Sequence, residues 1–293
     1  MFKKPDKYHN ESDSQFFRMA SKRKLASILF VSIEKLKSFD GGKDFYFSFQ
    51  KQKKSGGYRE INAPRDDLKS IQSRIANLLS RIAPPDFLFA PVAGRSYVDN
   101  AARHVGAKSI HLLDIEDFFP SCTANKVFWL FNKRLQCEPD IAYLLKNIVT
   151  LDGVLPQGSP CSPILAYLCY VDMWSEINSI VSKFGCRLSV YADDLTVSGE
   201  AVPPSMVWEI KKILKKHGHK HKPSKERSKY LRPAEITGVI ISQNRLHAPN
   251  RQHKKMYDVR CALSAAKDAE QKSKFLAQFN GRQAQMKQIT SLN

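Results

Sequence analysis

The spacing of apolar positions predicts a chain of helices and short strands. Residues 21–39 place Leu25, Ile28, Leu29, Ile33 and Leu36 on one face of a basic helical lead-in. Residues 45–64 predict a hairpin of two strand-like runs around a Lys/Ser/Gly turn, and Pro64 ends the second run. An amphipathic helix follows and closes before residues 83–85, Ala-Pro-Pro.

The second half of the chain also combines predicted strands and helices. The run SIHLLD (109–114) predicts a strand, and a Pro/Gly/Ser loop then leads into a buried helix. For that helix we expect Ser162 as N-cap, Pro163 at the first helical position and Gly185 as the stop. A hairpin over 187–199, a strand at EITGVIIS (235–242) and a basic helical tail from about Asn250 complete an α+β chain.

Two aspartates stand where strands should meet. Asp193 and Asp194 join the two strand-like runs of RLSVYADDLTVSG, and a further cluster of Asp114, Glu116 and Asp117 ends the run SIHLLD. If these elements are neighbours in one sheet, Asp114 meets the later pair, and like charges raise each other's pKa. Two Mg²⁺ ions with oxygen ligands would remove that repulsion. A solvated turn is the alternative for an isolated Asp-Asp pair.

The net charge points to a polyanionic partner. The 293 residues hold 47 Lys and Arg against 28 Asp and Glu, a net +19, and nucleic acid is the main partner of so basic a chain. The excess is uneven, since residues 211–232 contain ten Lys or Arg and one Glu. A merely soluble basic surface is the alternative, and no apolar face opposite the charge favours a membrane.

The cysteines and the N-terminus indicate a cytoplasmic protein. The six cysteines are scattered, without CxxC pairs or histidines at zinc spacing, so we expect reduced, mostly packed thiols. The first residues lack the apolar core of a signal peptide, and no apolar run reaches about twenty residues.

Three motifs in order resemble those of reverse transcriptases. YADD (191–194) matches the YxDD motif of that family, DIEDFF (114–119) looks like its first catalytic segment, and LPQGSPCSP (155–163) matches LPQGxxxSP. The resemblance covers about residues 43–241 and implies a right-hand polymerase. Fingers would span 41–108, a palm with an antiparallel sheet packed on helices 109–243, and a short helical thumb 244–293, after an extension of 1–40.

Two shorter segments resemble retron reverse transcriptases. NAARH (100–104) matches their NAxxH motif, and Ile236-Thr237-Gly238 resembles their VTG motif. This resemblance implies an RNA-directed DNA polymerase that copies part of its own structured noncoding RNA into multicopy single-stranded DNA. Its partners would be that RNA, the DNA product, dNTPs and an effector protein, with a role in antiphage defence.

The resemblance also assigns roles to individual residues. Asp114 and Asp193 would bridge two Mg²⁺ ions, with Asp194 beside them and the Ile115 carbonyl as a further ligand. Phe119 would exclude a ribonucleotide 2′-hydroxyl, unless it is plain core packing. Arg59 would bind the triphosphate, although Lys53 and Lys54 could do so instead. Asp117 would bind the nucleotide through its backbone amide, unless it only caps a helix. Gln157 and Gly158 would lie along the nucleotide, and Lys225 would donate a proton to the leaving pyrophosphate.

Other residues are candidates for contacts with nucleic acid. Tyr191 would support the primer end by stacking, and Lys220 and Lys222 would follow RNA phosphates. Asn100 and His104 would recognise the retron RNA, although a hydrogen-bonded packing role is equally compatible with His104. The register before Lys225 departs from the family pattern, because HKHKP (219–223) replaces an apolar strand.

Alternatives from other classes stay open. The chain could be another bacterial reverse transcriptase, from a group II intron, a diversity-generating element or a CRISPR-associated system. An RNA-dependent RNA polymerase fits Phe119 and YADD less well. The protein could also act mainly as an RNA-binding scaffold that restrains a toxic effector.

Overall fold

The computed structural model describes residues 5–39, 42–52, 56–242 and 244–291. Lys53, Lys54 and the predicted boundaries at Gly41 and Gln243 lie outside these ranges. The helices are α1 Lys22–Leu29, α2 Ile33–Ser38, α3 Asp66–Leu79, α4 Tyr97–Ala102, α5 Phe118–Ser121, α6 Ala124–Trp129, α7 Pro139–Val149, α8 Ser162–Leu168, α9 Val171–Lys183, α10 Pro204–Lys216, α11 Asn250–Ala265 and α12 Ala269–Thr290. The strands are β1 Tyr46–Gln52, β2 Tyr58–Pro64, β3 Leu88–Ala90, β4 Ser109–Asp114, β5 Arg187–Tyr191, β6 Asp194–Gly199, β7 Arg227–Tyr230, β8 Ala234–Ile236, β9 Val239–Ser242 and β10 Arg245–His247.

These elements form two compact units, each assembled from three stretches of chain. Unit 1 comprises Met1–Gly94, Ile115–Ile177 and Ile210–His221, and unit 2 comprises Arg95–Asp114, Asn178–Glu209 and Lys222–Asn293. Helices and antiparallel sheets occur together, so the predicted α+β class is confirmed. The predicted boundaries of fingers, palm and thumb stay a prediction.

Unit 1 contains the predicted hairpin and a helical core. Strands β1 and β2 pair antiparallel from Tyr46 opposite Pro64 to Gln52 opposite Tyr58. The apolar face of α3 is buried, as its periodicity predicts. The helical lead-in is instead two helices, because Phe30 adopts a left-handed conformation (φ 59°) after α1 and the Ser32 hydroxyl caps α2 at the Lys35 amide.

The predicted buried helix over 162–185 is also divided, into α8 and α9. Ser162 is the first helical residue and not the N-cap, since its hydroxyl donates to the Pro156 carbonyl at 2.8 Å and Cys161 takes the cap position. That bond fixes the preceding Pro/Gly/Ser loop against the start of α8. The stop at Gly185 is as expected, with a positive φ of 65° two residues after α9 ends.

Unit 2 is built around four antiparallel strands in the order β5-β6-β4-β7 and a separate antiparallel meander of β8, β9 and β10. Its hydrophobic core joins Val98 and Ala101 of α4 to Ile110 of β4 and to the meander. Among described residues, α11 and α12 each bury a single side chain, Val259 and Ile289. In the described ranges, none of the helices combines the length and apolar character needed to span a membrane.

Candidate active site

Three aspartates converge in unit 2. Strands β4 and β6 pair antiparallel with Asp114 directly opposite Asp194, and Tyr191 at the end of β5 lies opposite Asp194 on its other side. Residues paired in this way have Cα atoms about 4.5–5.5 Å apart. Asp193 immediately precedes Asp194 in a tight turn, where Ala192 has a positive φ of 57°. The sheet therefore gathers carboxylates that are separated by almost eighty residues in the sequence.

The crowding of these carboxylates changes their proton affinity. Burial, followed by the negative charges of Asp193 and Asp114, raises the pKa of Asp194 to about 7, and the ammonium of Lys225 opposes this rise. A hydrogen bond between the Asp114 and Asp194 side chains acts in the same direction as burial. This unfavourable arrangement is the kind that a bound cation relieves.

Lys225 supplies a positive charge at the same place. Its ammonium donates to Oδ2 of Asp114, which is buried, although half of the lysine side chain is exposed. Burial lowers the pKa of Lys225, but the hydrogen bond and charge of Asp114 outweigh it, so the pKa stands above its ordinary value. The Lys222 amide also donates to the Asp114 carbonyl at 2.8 Å, so the segment before Lys225 lies beside the end of β4, and the match of Lys225 to the family lysine stays a prediction.

The donor chemistry fits divalent metal ions, although the side chains are not arranged as a finished metal site. Among the described residues, no three His, Cys, Asp or Glu side chains are grouped so that they could hold an ion. Asp114 faces Lys225 and shares a hydrogen bond with Asp194. Asp114, Asp193 and Asp194 nevertheless offer only hard carboxylate oxygens, the ligands that Mg²⁺ prefers. Ile115, the predicted carbonyl ligand, follows Asp114 in the chain and is buried.

The loop that carries Gln157 and Gly158 is held against β2 within unit 1. The Asn62 amide donates to the Gln157 carbonyl at 2.8 Å. A Cβ added to Gly158, whose φ is +130°, would lie 2.9 Å from the Asn62 carbonyl oxygen and 3.0 Å from Ile61. Only glycine allows this close approach of two backbone segments.

The other predicted nucleotide-binding residues of unit 1 are accessible to different degrees. Arg59 is exposed on β2 opposite Lys51. Asp117 takes the N-cap position of α5 in a left-handed conformation (φ 43°) but makes no capping bond, so ordinary capping does not explain it. Phe119 is only half-buried, and its ring lies 5.7 Å from that of Phe118.

Three of the predicted nucleic-acid contacts remain on accessible surface. Tyr191 is half-buried beside Asp194, and burial, with the neighbouring Tyr97 and Asp194, raises its pKa. Lys220 is exposed, and Lys222 is partly exposed. Their roles stay predictions.

Asn100 and His104 are not on the surface. Both side chains are buried in unit 2, with 1% and 0% of their areas exposed. The Asn100 amide donates to Thr237, and both ring nitrogens of His104 bond to serine hydroxyls. This burial agrees with the packing alternative for His104 and leaves neither side chain on the surface, and a role of the two residues in RNA recognition stays a prediction.

Sequence reasoning missed the partners of His104. Ser189 and Ser198 alternate along β5 and β6 with apolar residues, so the pattern assigns them to the polar face of the hairpin, yet both are buried. A hydroxyl in such a position needs a hydrogen-bond partner. That requirement was the available signal, but one sequence cannot tell which side chain meets it.

The chain was also compared with known proteins. A family model described as "Reverse transcriptase (RNA-dependent DNA polymerase)" matches residues 51–241, well over half of the chain. The chain therefore belongs to the reverse transcriptase family, and the predicted resemblance to that family is confirmed.

Curated proteins similar to this chain include several reverse transcriptases of retrons. The retron Ec86 enzyme of Escherichia coli is 34% identical over 59% of this chain and 55% of its own length. The retron Se72 enzyme of Salmonella heidelberg (strain 579083-10) is 31% identical over 54% of this chain and 41% of its own. The matched part thus spans about half of these relatives. A structure of the foamy viral protease-reverse transcriptase with double-stranded DNA has a TM-score of 0.46 at 18% identity, covering 95% of this chain and 44% of that one.

Proposed function

We propose that this protein is a retron-type RNA-directed DNA polymerase that copies part of a cognate structured noncoding RNA into single-stranded DNA. Family membership and the similarity to retron enzymes support the polymerase and the RNA partner. The single observation that carries the chemistry is the direct pairing of Asp114 with Asp194, next to Asp193.

In this proposal the three aspartates would hold two Mg²⁺ ions, and the Ile115 carbonyl would be a further ligand. Bound metal ions would activate the attacking 3′-hydroxyl and neutralise charge on the leaving pyrophosphate. Lys225, whose ammonium donates to Asp114, would protonate the leaving pyrophosphate. Mg²⁺ is the preferred ion, because all the side-chain ligands are carboxylates.

Residues of unit 1 select and orient the nucleotide. Gln157 and Gly158 lie along the incoming nucleotide, on a loop that the absent side chain of Gly158 allows to pack closely against β2. Phe119 rejects a 2′-hydroxyl, which makes the product DNA, and its partial exposure is compatible with that role. Arg59 binds phosphate oxygens with its planar fork, and Asp117 contributes through its backbone amide.

The isosteric variant Asp193→Asn tests the polymerase. We expect DNA synthesis to fall roughly a hundredfold to a thousandfold, as when a group that acts in the transition state is removed, while RNA binding stays within about twofold. Asp152→Asn is the matched control, since Asp152 is exposed and pairs only at the surface with Lys43 at 3.0 Å. Equal synthesis by Asp193→Asn and the control would refute the proposal.

Sequencing the bound RNA tests the retron assignment. The protein would be purified with and without nuclease, and a single discrete structured transcript, part of which reappears as DNA, is the expected result. Intron-like, repeat-derived or heterogeneous RNA would instead favour another bacterial reverse transcriptase.

We extend the proposal to antiphage defence in the cytoplasm, with an effector protein as partner. The six cysteines, all free thiols, fit a reducing compartment. Phage plating with wild type and Asp193→Asn separates the two candidate roles: protection that survives without DNA synthesis would favour an RNA scaffold that restrains the effector.

A further inference from the structure

A buried histidine spans the two strands that lead to Asp193 and Asp194. His104 follows α4, and its ring is completely inaccessible to solvent. Nε2 lies 2.7 Å from the Ser189 hydroxyl on β5, and Nδ1 lies 2.7 Å from the Ser198 hydroxyl on β6. Both hydroxyls belong to buried residues. The ring thus contacts each arm of the catalytic hairpin, residues 187–199.

The register places these contacts on the face of the sheet that carries the carboxylates. Ser189 pairs with Thr196, and Arg187 pairs with Ser198, so the two serines are diagonal neighbours on one face. Because side chains alternate along a strand, Asp194 lies on the same face as Ser198, and its partner Asp114 does so too.

The residues on either side of His104 bind the hairpin as well. The Arg103 side chain donates to the Leu188 carbonyl at 2.7 Å, and the Arg187 guanidinium donates to the Val105 carbonyl at 3.1 Å. Segment 103–105 is therefore joined to the hairpin both through the imidazole and through bonds that involve backbone carbonyls. A slip of one strand against the other would break the imidazole pair first.

We propose that His104 is a positioning residue that fixes the register and spacing of the two strands carrying Asp193 and Asp194. The proposal rests on the function proposed above and adds a role for the NAARH segment, which supports the carboxylates from within unit 2 without contacting RNA through His104.

The chemistry of the site requires a neutral imidazole. A neutral ring has one N–H donor and one acceptor nitrogen, which match two hydroxyls that can each donate or accept. Burial, followed by the charges of Arg187 and Arg103, lowers the pKa of His104 to about 3, so the neutral form is present at physiological pH. Leucine fills similar space without either bond, whereas glutamine keeps one donor and one acceptor.

The test compares His104→Leu and His104→Gln with a control in the core, Met206→Ala on α10, which lies outside residues 103–105 and 187–199, and all variants are assayed at equal folded fraction. We expect His104→Leu to lower the maximal polymerisation rate roughly tenfold to a hundredfold, with affinity for primer-template RNA within about twofold. His104→Gln should restore most of the rate. Ser189→Ala/Ser198→Ala should match His104→Leu, and the triple variant should lose little more.

Hydrogen exchange of the 187–199 amides gives a readout that does not need activity. His104→Leu should accelerate exchange there, and Met206→Ala should not. Equal effects of the two variants on rate and exchange would mean ordinary core packing and would overturn the proposal, as would RNA affinity that falls in step with rate. If the wild type made no DNA, the function proposed above would fail, and hydrogen exchange would still decide the role of His104 in positioning the hairpin.

Discussion

At the scale of single residues, one missing methyl group decides how the Gln157 loop meets β2. Gly158→Ala would force its Cβ to within 2.9 Å of the Asn62 carbonyl, at a φ of +130° that side chains rarely adopt. We expect a loss of about 1–3 kcal/mol in stability and at least a tenfold loss of synthesis rate, because the displaced loop carries Gln157.

The variant Gly153→Ala is a control that separates the effect of displacing the Gln157 loop from the effect of backbone strain at a positive φ. Gly153 also has a positive φ (79°), but a Cβ there meets nothing within 4 Å. It should cost about 1–2 kcal/mol without a selective loss of rate. Comparable loss of synthesis in both variants, measured at equal folded fraction, would contradict the role assigned to the Asn62 contact.

His104 also gives the fold a defined response to acid. Its pKa is about 3 in the folded state and 6.5 as its ordinary value, so between these values the unfolded chain binds more protons. Its contribution to stability is therefore present above pH 6.5 and is lost as the pH falls towards 3, by about 2 kcal/mol at pH 5.

The acid response can be measured by denaturant unfolding at pH 7 and pH 5. His219 should add to the loss, since burial, with His217 and Lys126, lowers its pKa to about 4. In His104→Gln the difference in unfolding free energy between the two pH values should shrink by about 2 kcal/mol. An unchanged difference would mean that His104 is already protonated, or unburied, at pH 5.

At the scale of elements, the helix α12 contains a glycine that neither a close contact nor a positive φ requires. Gly281 is exposed, and an added Cβ meets nothing within 4 Å. Gly281→Ala should raise stability by about 0.5–1 kcal/mol, because alanine loses less conformational entropy in a helix. Ala277→Gly, at an exposed site of the same helix, should have the opposite effect in thermal melts; equal signs would contradict the reasoning.

The periodicity of apolar residues predicted most elements, but it failed where local hydrogen bonds of the backbone determine where a helix begins or ends. The hairpin of β1 and β2 and the helix α3 follow directly from the apolar pattern. The break between α1 and α2 does not, because Phe30 is apolar, and its left-handed conformation belongs to a backbone cap in which the Val31 amide donates to the Ala26 carbonyl at 3.1 Å. Ser162 looked like an N-cap, but its hydroxyl found the Pro156 carbonyl instead.

The features of the candidate active site also divide into those that the sequence predicted and those that it did not. The gathering of Asp114 with Asp193 and Asp194 could be predicted, since aspartate is a poor strand former and its repeated placement at strand ends indicates a shared cation. The contact of Lys225 with Asp114 and the burial of His104 depend on distant residues, and a single sequence does not reveal them. The motif match singled out His104, but it did not predict that the ring is buried between two serine hydroxyls.

At the scale of the whole molecule, the net charge of +19 should make RNA binding strongly dependent on salt. If Lys220 and Lys222 contact phosphates, replacing each by glutamine should reduce the slope of log affinity against log salt by about 1. The comparison is a filter-binding series at several salt concentrations. Lys22→Gln is the control, since Lys22 pairs with Asp140 at 2.8 Å, and a similar reduction there would mean a diffuse charge effect.

The scarcity of buried side chains in α11 and α12 has a consequence for how the protein is protected in the cell. The helices α11 and α12 each bury only one described side chain, Val259 and Ile289. Their free energy of local unfolding should therefore be much lower than that of the sheet of unit 2. Proteases would cut there first, and a bound polyanion covering the basic residues of α11 would shield those cleavage sites. If the proposed cognate RNA is that polyanion, the cellular level of the protein would follow the supply of the RNA, because uncomplexed copies would be degraded faster.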